Sequence, residues 1–312
     1  MSDARIRTAR ALALATLLYT VLVILWGAVV RATGAGAGCG ANWPTCNGEI
    51  IPMAPSLNTL IEFGHRVTSG LAMILVVVMG WAVWRAFPRG SGARKAAGTS
   101  IFFMMLEAAI GAALVLLEYV ALDARIGRAV WIALHLVNTF LLLGALTLTV
   151  WATRGHPLPR WRGRMGWALG IALTGTAILG ASGAITALGD TLVLRGGMSP
   201  ETHAVVALLV GLRVLHPTLA FVALGLIGWA VWEARETAAR DWGLWVIGLF
   251  VMQMGLGVIN VWLLAPLWMQ VVHLLVTDII WIGLVLFAAR VLAPDEAPER
   301  APVRIPAEPV AA

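Results

Sequence analysis

Charged residues are scarce in this chain: they make up 12% of its 312 residues, whereas hydrophobic residues make up 60%. The mean hydropathy is +0.87. A soluble globular domain of this size does not have such a composition, so we predict an all-α integral membrane protein. The net charge of +6 does not indicate nucleic-acid binding, because nearly all of the basic residues lie in loops on one side of the predicted membrane segments.

Lysine and cysteine are scarce as well. Lys95 is the only lysine, so the basic loops consist almost entirely of arginine, and the two cysteines, Cys39 and Cys46, lie in one loop. The first apolar segment is too long for the core of a signal peptide, and no small-residue cleavage site ends it cleanly. We therefore expect no cleavable signal peptide.

Eight apolar segments are long enough to span a bilayer. They cover residues 11–31, 59–84, 99–121, 129–152, 165–187, 205–232, 242–264 and 269–291. Arginine-rich stretches precede the first segment and fill every second loop after it, and the positive-inside rule places these stretches in the cytoplasm. We therefore predict a multi-pass protein of the cell membrane with both termini cytoplasmic. Residues 292–312 are rich in Pro, Ala and charge, which predicts a disordered cytoplasmic tail.

Short sequences recur between the first four and the last four segments. Gly-Trp-Ala-Val-Trp at residues 80–84 occurs again at residues 228–232, each time at the cytoplasmic end of a segment. Both copies would begin on the cytoplasmic side, which predicts two parallel four-helix repeats related by an axis along the membrane normal. The corresponding domains are an N-terminal half at 1–155 and a C-terminal half at 156–291.

Four of the six histidines lie inside predicted spans, one on each even-numbered segment. Two neutral imidazoles on facing helices at similar depth are what a six-coordinate heme iron needs. The repeated positions favour one such pair in each half, namely His65 with His135 and His216 with His273. An interhelical hydrogen bond is the alternative for any single histidine, and zinc is a weaker one. Asp278, five residues after His273, could support that ligand from behind.

A carboxylate, an imidazole and a guanidinium occur within five residues near the start of the second segment: Glu62, His65 and Arg66. These side chains share a helix face. A charge near the bilayer centre costs about 3 kcal/mol on insertion scales, so such groups usually have a function. The alternative is a simple ion pair between Glu62 and Arg66. Because guanidinium groups bind carboxylates well, several arginines could contact heme propionates: Arg31, Arg66, Arg125, Arg128 and Arg213.

The predicted outer loop contains Cys39-Gly-Ala-Asn-Trp-Pro-Thr-Cys46 and is rich in glycine. The outer compartment permits oxidation, and a bridge closing so short a loop would stabilise the protein by about 2.5 kcal/mol in the chain-entropy model. A short, exposed bridge can also be redox-active. A structural role and an electron-relay role both remain open, and the loop could fold as a lid over the first four helices.

Together these features resemble the heme A synthase family, whose members convert heme O to heme A for terminal oxidases. The resemblance covers about residues 11–291. It rests on Arg-Ala-Thr-Gly at residues 31–34, the loop between Cys39 and Cys46, the Glu-x2-His-Arg motif at residues 62–66, and single histidines near the starts of the fourth and eighth segments.

The resemblance implies an oxidoreductase that oxidises a ring methyl of heme O twice, through an alcohol and then a hydrate that loses water to leave a formyl group. The N-terminal half would hold heme O between His65 and His135, with Glu62 as the catalytic carboxylate. The C-terminal half would hold heme b between His216 and His273. Heme O synthase is the partner that the resemblance implies. Surrounding membrane lipid, an unidentified membrane electron donor such as a quinol, and a homo-oligomer are further expectations.

Two departures from the family pattern stand out. His216 is followed by Pro217, where the family often repeats His-Arg, and proline within a span loosens the helical hydrogen bonding. The C-terminal half also lacks the second cysteine pair that some members carry. Two other functions stay open. A di-heme b-type electron-transfer cytochrome would need the histidines but not Glu62, and a transporter would not need histidines at matched depth.

Overall fold

The computed structural model describes residues 3–293, and its regular structure in that range is helical apart from an isolated bridge between Cys46 and Glu49. The α-helices of the described range are α1 (Asp3–Thr33), α2 (Leu57–Ala86), α3 (Gly92–Leu116), α4 (Ile126–Thr153), α5 (Gly163–Leu194), α6 (Ala204–Gly211), α7 (Leu215–Glu233), α8 (Arg240–Trp262) and α9 (Leu267–Leu292). Short 3-10 turns lie at Ala35–Ala37 and Leu212–Val214.

Eight helical stretches within residues 3–293 are long and apolar enough to cross a membrane, with α6 and α7 together forming the sixth. The prediction of an all-α protein with eight spans is therefore confirmed. Large apolar side chains face outward from these helices, such as Leu22 and Phe221, which are 62% and 67% exposed. Such exposure is expected of spans whose surroundings are lipid, which is as apolar as leucine.

Several segment boundaries differ from the predictions. Helices α1 and α3 begin at Asp3 and Gly92, eight and seven residues before the predicted starts. The fifth span continues to Leu194, so residues 188–194 are helical and do not belong to the outer loop. In this part of the helix, Gly189 packs closely on Leu209 and Asp190 pairs with Arg213 at 2.5 Å. The third span, predicted to reach residue 121, ends at Leu116.

The predicted disordered tail at 292–312 lies outside the described residues from position 294 onward. Of its first two residues, Leu292 is the last residue of α9 and Ala293 is the C-cap.

The sixth span is interrupted next to its histidine. Helix α6 ends at Gly211, a 3-10 turn covers Leu212–Val214, and α7 begins at Leu215. Pro217 explains the interruption, because it has no backbone N–H to donate to the carbonyl oxygen four residues earlier and its ring crowds that carbonyl. The irregular turn therefore ends two residues before His216.

The helices form two groups that meet in the middle of the molecule. Helix α1 packs on α2 and α4, and α3 packs on the same two helices. Helix α7 packs on α5 and α8, and α9 packs on the same two. Contacts between the groups involve mainly α1, α4, α5 and α9. At their centre, the Trp281 indole stacks on Phe140 at 4.7 Å and donates a hydrogen bond of 2.6 Å to the Phe140 carbonyl oxygen. The interpretation of the two groups as parallel repeats stays a prediction.

Candidate functional site

The four span histidines lie on α2, α4, α7 and α9, and all are partly buried. The imidazoles of His65 and His135 are close enough to interact electrostatically, and so are those of His216 and His273. The structure thus brings together the same pairs that the sequence suggested. The other two histidines lie elsewhere: His156 stacks on Trp151 at 4.2 Å, and His203 is exposed at the N-cap of α6.

Each of these four imidazoles lies against a glycine on a neighbouring odd-numbered span. A Cβ atom added to that glycine would lie next to the Cε1 atom of the ring, and at three of the four positions it would be closer than ordinary van der Waals contact. The pairs are Gly27 with His65, Gly111 with His135, Gly183 with His216 and Gly257 with His273, and the Cβ to Cε1 distances would be 3.1, 4.0, 2.8 and 3.3 Å. We refer to the four glycines of these pairs as the cradle glycines.

The Nδ1 atoms of the four imidazoles differ in their surroundings. Nδ1 of His216 shares a hydrogen bond of 3.1 Å with Ser182 Oγ, and Nδ1 of His135 lies 3.5 Å from Glu107 Oε1. Among the residues that the structure describes, the buried Nδ1 atoms of His65 and His273 have no hydrogen-bond partner. Within residues 3–293 no group of three or more His, Cys, Asp or Glu side chains could hold a metal ion. Two imidazoles per site, each beside a glycine that leaves room for its ring, fit the axial ligands of a heme.

Glu62 is 3% exposed and both of its oxygens are hydrogen-bonded. The backbone N–H of Cys39 donates to Oε2 at 2.8 Å, and Nε of Arg66 donates to Oε1 at 3.1 Å. The predicted alternative, an ion pair with Arg66, is therefore present. Nη1 of Arg66 also donates to the carbonyl oxygens of Asn42 and Thr45, at 2.5 and 2.8 Å. The carboxylate is thus fixed both to its own helix and to the outer loop.

Cys39 and Cys46 form a disulfide in that loop, and the two residues are 0% and 1% exposed. The predicted pair therefore forms, and the bridge is buried. The loop is held against the start of α2 by the Thr59 hydroxyl, which donates to the Gly38 carbonyl oxygen at 2.9 Å. A side chain at Gly38 would overlap the backbone of Asn58, so the loop approaches the helix as closely as only glycine allows. These contacts favour a structural role for the bridge.

The arginines proposed for heme propionates have protein acceptors. Arg31 donates across the molecule to the Ala187 carbonyl oxygen, Thr191 Oγ1 and Gln270 Oε1, at 2.9, 3.0 and 2.7 Å. It therefore connects the end of α1 to α5 and α9. Of the remaining candidates, Arg66 is bound to Glu62 and the outer loop, Arg213 to Asp190, Arg128 to the Asp123 carbonyl oxygen, and Arg125 to the Asp123 carboxylate. The last of these contacts raises the pKa of Arg125, which lies just outside α4.

A family model described as cytochrome oxidase assembly protein, COX15-CtaA, matches residues 10–285. This chain belongs to that family. Its curated relatives include a protoheme IX farnesyltransferase of Thermus thermophilus, 47% identical over 291 residues that cover 88% of this chain and 47% of the relative. Heme A synthases of Bacillus cereus and Bacillus anthracis are each 42% identical over 104 residues, or 33% of either chain. The chain spans about half the length of the Thermus relative. The family predicted from the motifs is confirmed.

In this member of the cytochrome oxidase assembly family, the two histidine pairs differ in their polar neighbours. The residue three positions before the α2 histidine is Glu62, whereas Arg213 stands three positions before His216. On the helices that carry cradle glycines 111 and 257, the residue four positions earlier is Glu107 in one case and Gln253 in the other. The N-terminal pair therefore has carboxylates at two positions where the C-terminal pair has a guanidinium and an amide.

Neither Glu107 nor Gln253 was assigned to a histidine from the sequence. Gln253 Nε2 donates 2.7 Å hydrogen bonds to the His273 carbonyl oxygen and to Thr277 Oγ1. One sequence feature could have pointed to Glu107 and Gln253: a threonine stands four residues after His135 and four residues after His273, at Thr139 and Thr277. Asp278, expected to support His273, is fully buried and has no hydrogen-bond partner among the described residues. That expectation is not met, because five residues along a helix turn a side chain to another face.

Two of the cradle glycines stand in a short sequence that recurs between the first and fifth spans, Gly27-Ala-Val and Gly183-Ala-Ile. Hydropathy alone does not distinguish a glycine that ends a helix from a glycine that packs against an imidazole on a neighbouring helix. The helices continue past both glycines, to Thr33 and Leu194.

Proposed function

We propose that this chain is a heme A synthase, which oxidises a ring methyl of heme O to a formyl group. Membership of the cytochrome oxidase assembly family and the likeness to Bacillus heme A synthases support this function. The observation that carries it is the buried Glu62 carboxylate, one helical turn before His65 and fixed by Arg66 and the outer loop. A carboxylate in this position can accept a proton from the methyl carbon or stabilise positive charge that develops there. The guanidinium of Arg213, at the corresponding position before His216, can do neither.

In this proposal heme O is the substrate and is held between His65 and His135. Glu62 either accepts a proton from the methyl carbon or stabilises positive charge that develops there. Burial makes both effects stronger, because charges interact more strongly where water is excluded. Arg66 and the Cys39 backbone N–H orient the carboxylate. Each of two successive oxidations removes two electrons from the ring methyl carbon, adds one hydroxyl group and requires an oxidant from outside the protein. The products are an alcohol and then a hydrate, which loses water to leave the formyl group.

The C-terminal half, residues 156–291, would hold heme b between His216 and His273, as the N-terminal half at 1–155 would hold the substrate. Heme b, when bound, supplies one-electron transfer. Ser182 orients His216 through its Nδ1 atom, and Gln253 fixes the helix carbonyl of His273. Gly183 and Gly257 leave space for the two rings. Arg31 and Arg66 could contact propionates only by exchanging some of their present acceptors.

We further propose that both termini face the cytoplasm, since the arginine-rich loops share one end of the molecule. A heme O synthase is the proposed partner. The Thermus relative, which carries the name protoheme IX farnesyltransferase and is about twice as long as this chain, supports a close link with an enzyme that adds the farnesyl tail. A membrane quinol is the proposed electron donor.

The deciding experiment purifies the protein from a host that makes heme O, extracts the heme and identifies it by chromatography and mass. Heme A or its alcohol precursor, beside heme b, is the expected result. Glu62→Gln should abolish this product while heme remains bound. Glu201→Gln, which removes an exposed outer carboxylate, is the matched control and should leave the product unchanged.

The alternatives give different results in the same experiment. Heme b alone, despite available heme O, would contradict the proposal and favour a di-heme electron-transfer cytochrome. A colourless protein would contradict the assignment of the histidines as heme ligands and favour a transporter.

A further inference from the structure

Glu107 is a carboxylate in the middle of a membrane-spanning helix, and its hydrogen bonds come from α4. Asn138 Nδ2 donates to Oε2 at 2.5 Å, and Thr139 Oγ1 donates to Oε1 at 2.5 Å. These partners stand three and four residues after His135, on the next helical turn. Within residues 3–293 Glu107 has no ion pair with arginine or lysine. A charge that costs a few kcal/mol in a span is therefore held in place by neutral groups next to a histidine.

The carboxylate lies beside the Nδ1 nitrogen of the His135 imidazole. Oε1 is 3.5 Å from Nδ1, and Nδ1 has no hydrogen bond to another described residue. Thr139 Oγ1, which donates to Oε1, also lies 2.9 Å from the His135 carbonyl oxygen. A small rotation of the ring, with Gly111 beside its Cε1 atom, would bring Nδ1–H into hydrogen-bonding distance of Glu107.

The C-terminal half has an amide, Gln253, at the position that corresponds to Glu107, and its side chain donates hydrogen bonds to the His273 carbonyl oxygen and to Thr277 Oγ1. Gln253 contacts Thr277, which corresponds to Thr139, and it stands four residues before Gly257 just as Glu107 stands four before Gly111. Its Oε1 atom is buried without a partner among the described residues, and so is Nδ1 of His273. An amide oxygen carries no net charge, so it polarises an imidazole N–H much less than a carboxylate does.

We propose that Glu107 is a positioning residue that accepts a hydrogen bond from Nδ1–H of His135 and makes this histidine a stronger iron ligand than His273. The inference rests on the proposed heme site between His65 and His135. Metal-bound histidines commonly donate their other N–H to a carboxylate, which fixes the tautomer and increases the electron donation of the ring. The added negative charge favours oxidised over reduced iron. One carboxylate would thereby give the two otherwise similar sites different reduction potentials.

The test is a potentiometric titration of the heme-loaded full chain, with heme absorbance as the readout and no measurement of turnover. Glu107→Gln should lower the ratio of oxidised to reduced heme in the N-terminal site about tenfold at a given potential, which is a rise of about 59 mV for one electron. The reduction potential of the C-terminal heme should not change. The His273→Ala background, which retains only the N-terminal heme, assigns the two signals.

Two further variants complete the design. Gln253→Glu should lower the potential of the C-terminal heme alone, and it also keeps the inference testable if Glu107→Gln does not fold. Glu118→Gln removes an exposed carboxylate just beyond the end of α3 and should shift neither potential, which controls for a general loss of negative charge.

The inference would be overturned if Glu107→Gln shifted the potentials of both hemes equally or shifted neither. It would also be overturned if no heme were bound through His135. Failure of the proposed function gives a different pattern. If no heme A forms but Glu107→Gln still shifts the N-terminal heme, the role of Glu107 stands and the synthase assignment does not. If heme A forms and the potentials do not move, the synthase assignment stands and the role of Glu107 is wrong.

Discussion

Replacing the cradle glycines by alanine should weaken heme binding in proportion to how closely each new methyl would approach its histidine. The structure ranks the four positions: Gly183→Ala is closest to a ring carbon at 2.8 Å, followed by Gly27→Ala at 3.1 Å, Gly257→Ala at 3.3 Å and Gly111→Ala at 4.0 Å. Carbon atoms in good contact lie about 3.5–4.0 Å apart. At Gly183 the ring of His216 must therefore move by roughly 0.7 Å, while Gly111 requires no movement.

The size of the effect follows from that displacement. Functional groups need positions accurate to about 0.5 Å, so a histidine displaced further no longer aligns with iron. Overpacking of this kind typically costs about 1–3 kcal/mol, which corresponds to roughly a 5- to 150-fold loss of affinity. An imidazole without iron can rotate away from the new methyl, and alanine favours a helix over glycine by about 1 kcal/mol. Gly183→Ala should therefore reduce heme content without lowering the thermal stability of the heme-free protein.

The assay is heme content per polypeptide after purification, measured by pyridine hemochrome absorbance, together with a thermal melt of the heme-free protein. Matched controls lie on three of the four helices: Gly170→Ala on α5, Gly98→Ala on α3 and Gly248→Ala on α8. A methyl at each of these positions would contact nothing within 4 Å. These controls should retain full heme content. Equal losses for Gly183→Ala and Gly170→Ala would refute the reasoning. So would a Gly111→Ala variant as damaging as Gly183→Ala.

Three further predictions concern the outer loop and the centre of the molecule. Cys39→Ser should lower stability by about 2.5 kcal/mol, the value for closing so short a loop, and should reduce heme A formation while heme stays bound; unchanged melting would contradict this. Arg66→Lys should reduce heme A formation more than heme content, because lysine does not replace the planar guanidinium that bridges Glu62 and two loop carbonyls; equal losses of both would contradict it. Trp281→Phe keeps the aromatic stack but removes the 2.6 Å hydrogen bond to α4, so a melt should show a loss of about 1 kcal/mol, whereas Trp167→Phe, 72% exposed, should be neutral.

Much of the molecule was predictable because the relevant properties are local. Membrane spans follow from runs of apolar residues along the chain, and eight of them were found within the described residues. The family was recognisable from short motifs such as Glu62-x2-His65-Arg66. The bridge between Cys39 and Cys46 could be anticipated because the two residues are close in sequence and lie in one loop.

Other features depend on how whole helices are rotated and placed against one another, and local sequence does not specify this. Arg31 was considered for a propionate, but its partners lie 156 or more residues away on α5 and α9. Glu107 could be assigned to His135 only once α3 and α4 were packed together. Asp278 was expected to support His273 because of its distance in sequence, although it lies on another face of the helix.

The sequence by itself thus determined the number of spans, the disulfide and the family, because each is encoded in residues that are close together along the chain. Only the tertiary structure decided which glycine packs against each imidazole and that the disulfide between Cys39 and Cys46 is buried. It alone also decided that a carboxylate lies beside one histidine pair at the position where the other has an amide. These are contacts between separate helices, and their geometry exists only after the helices have packed.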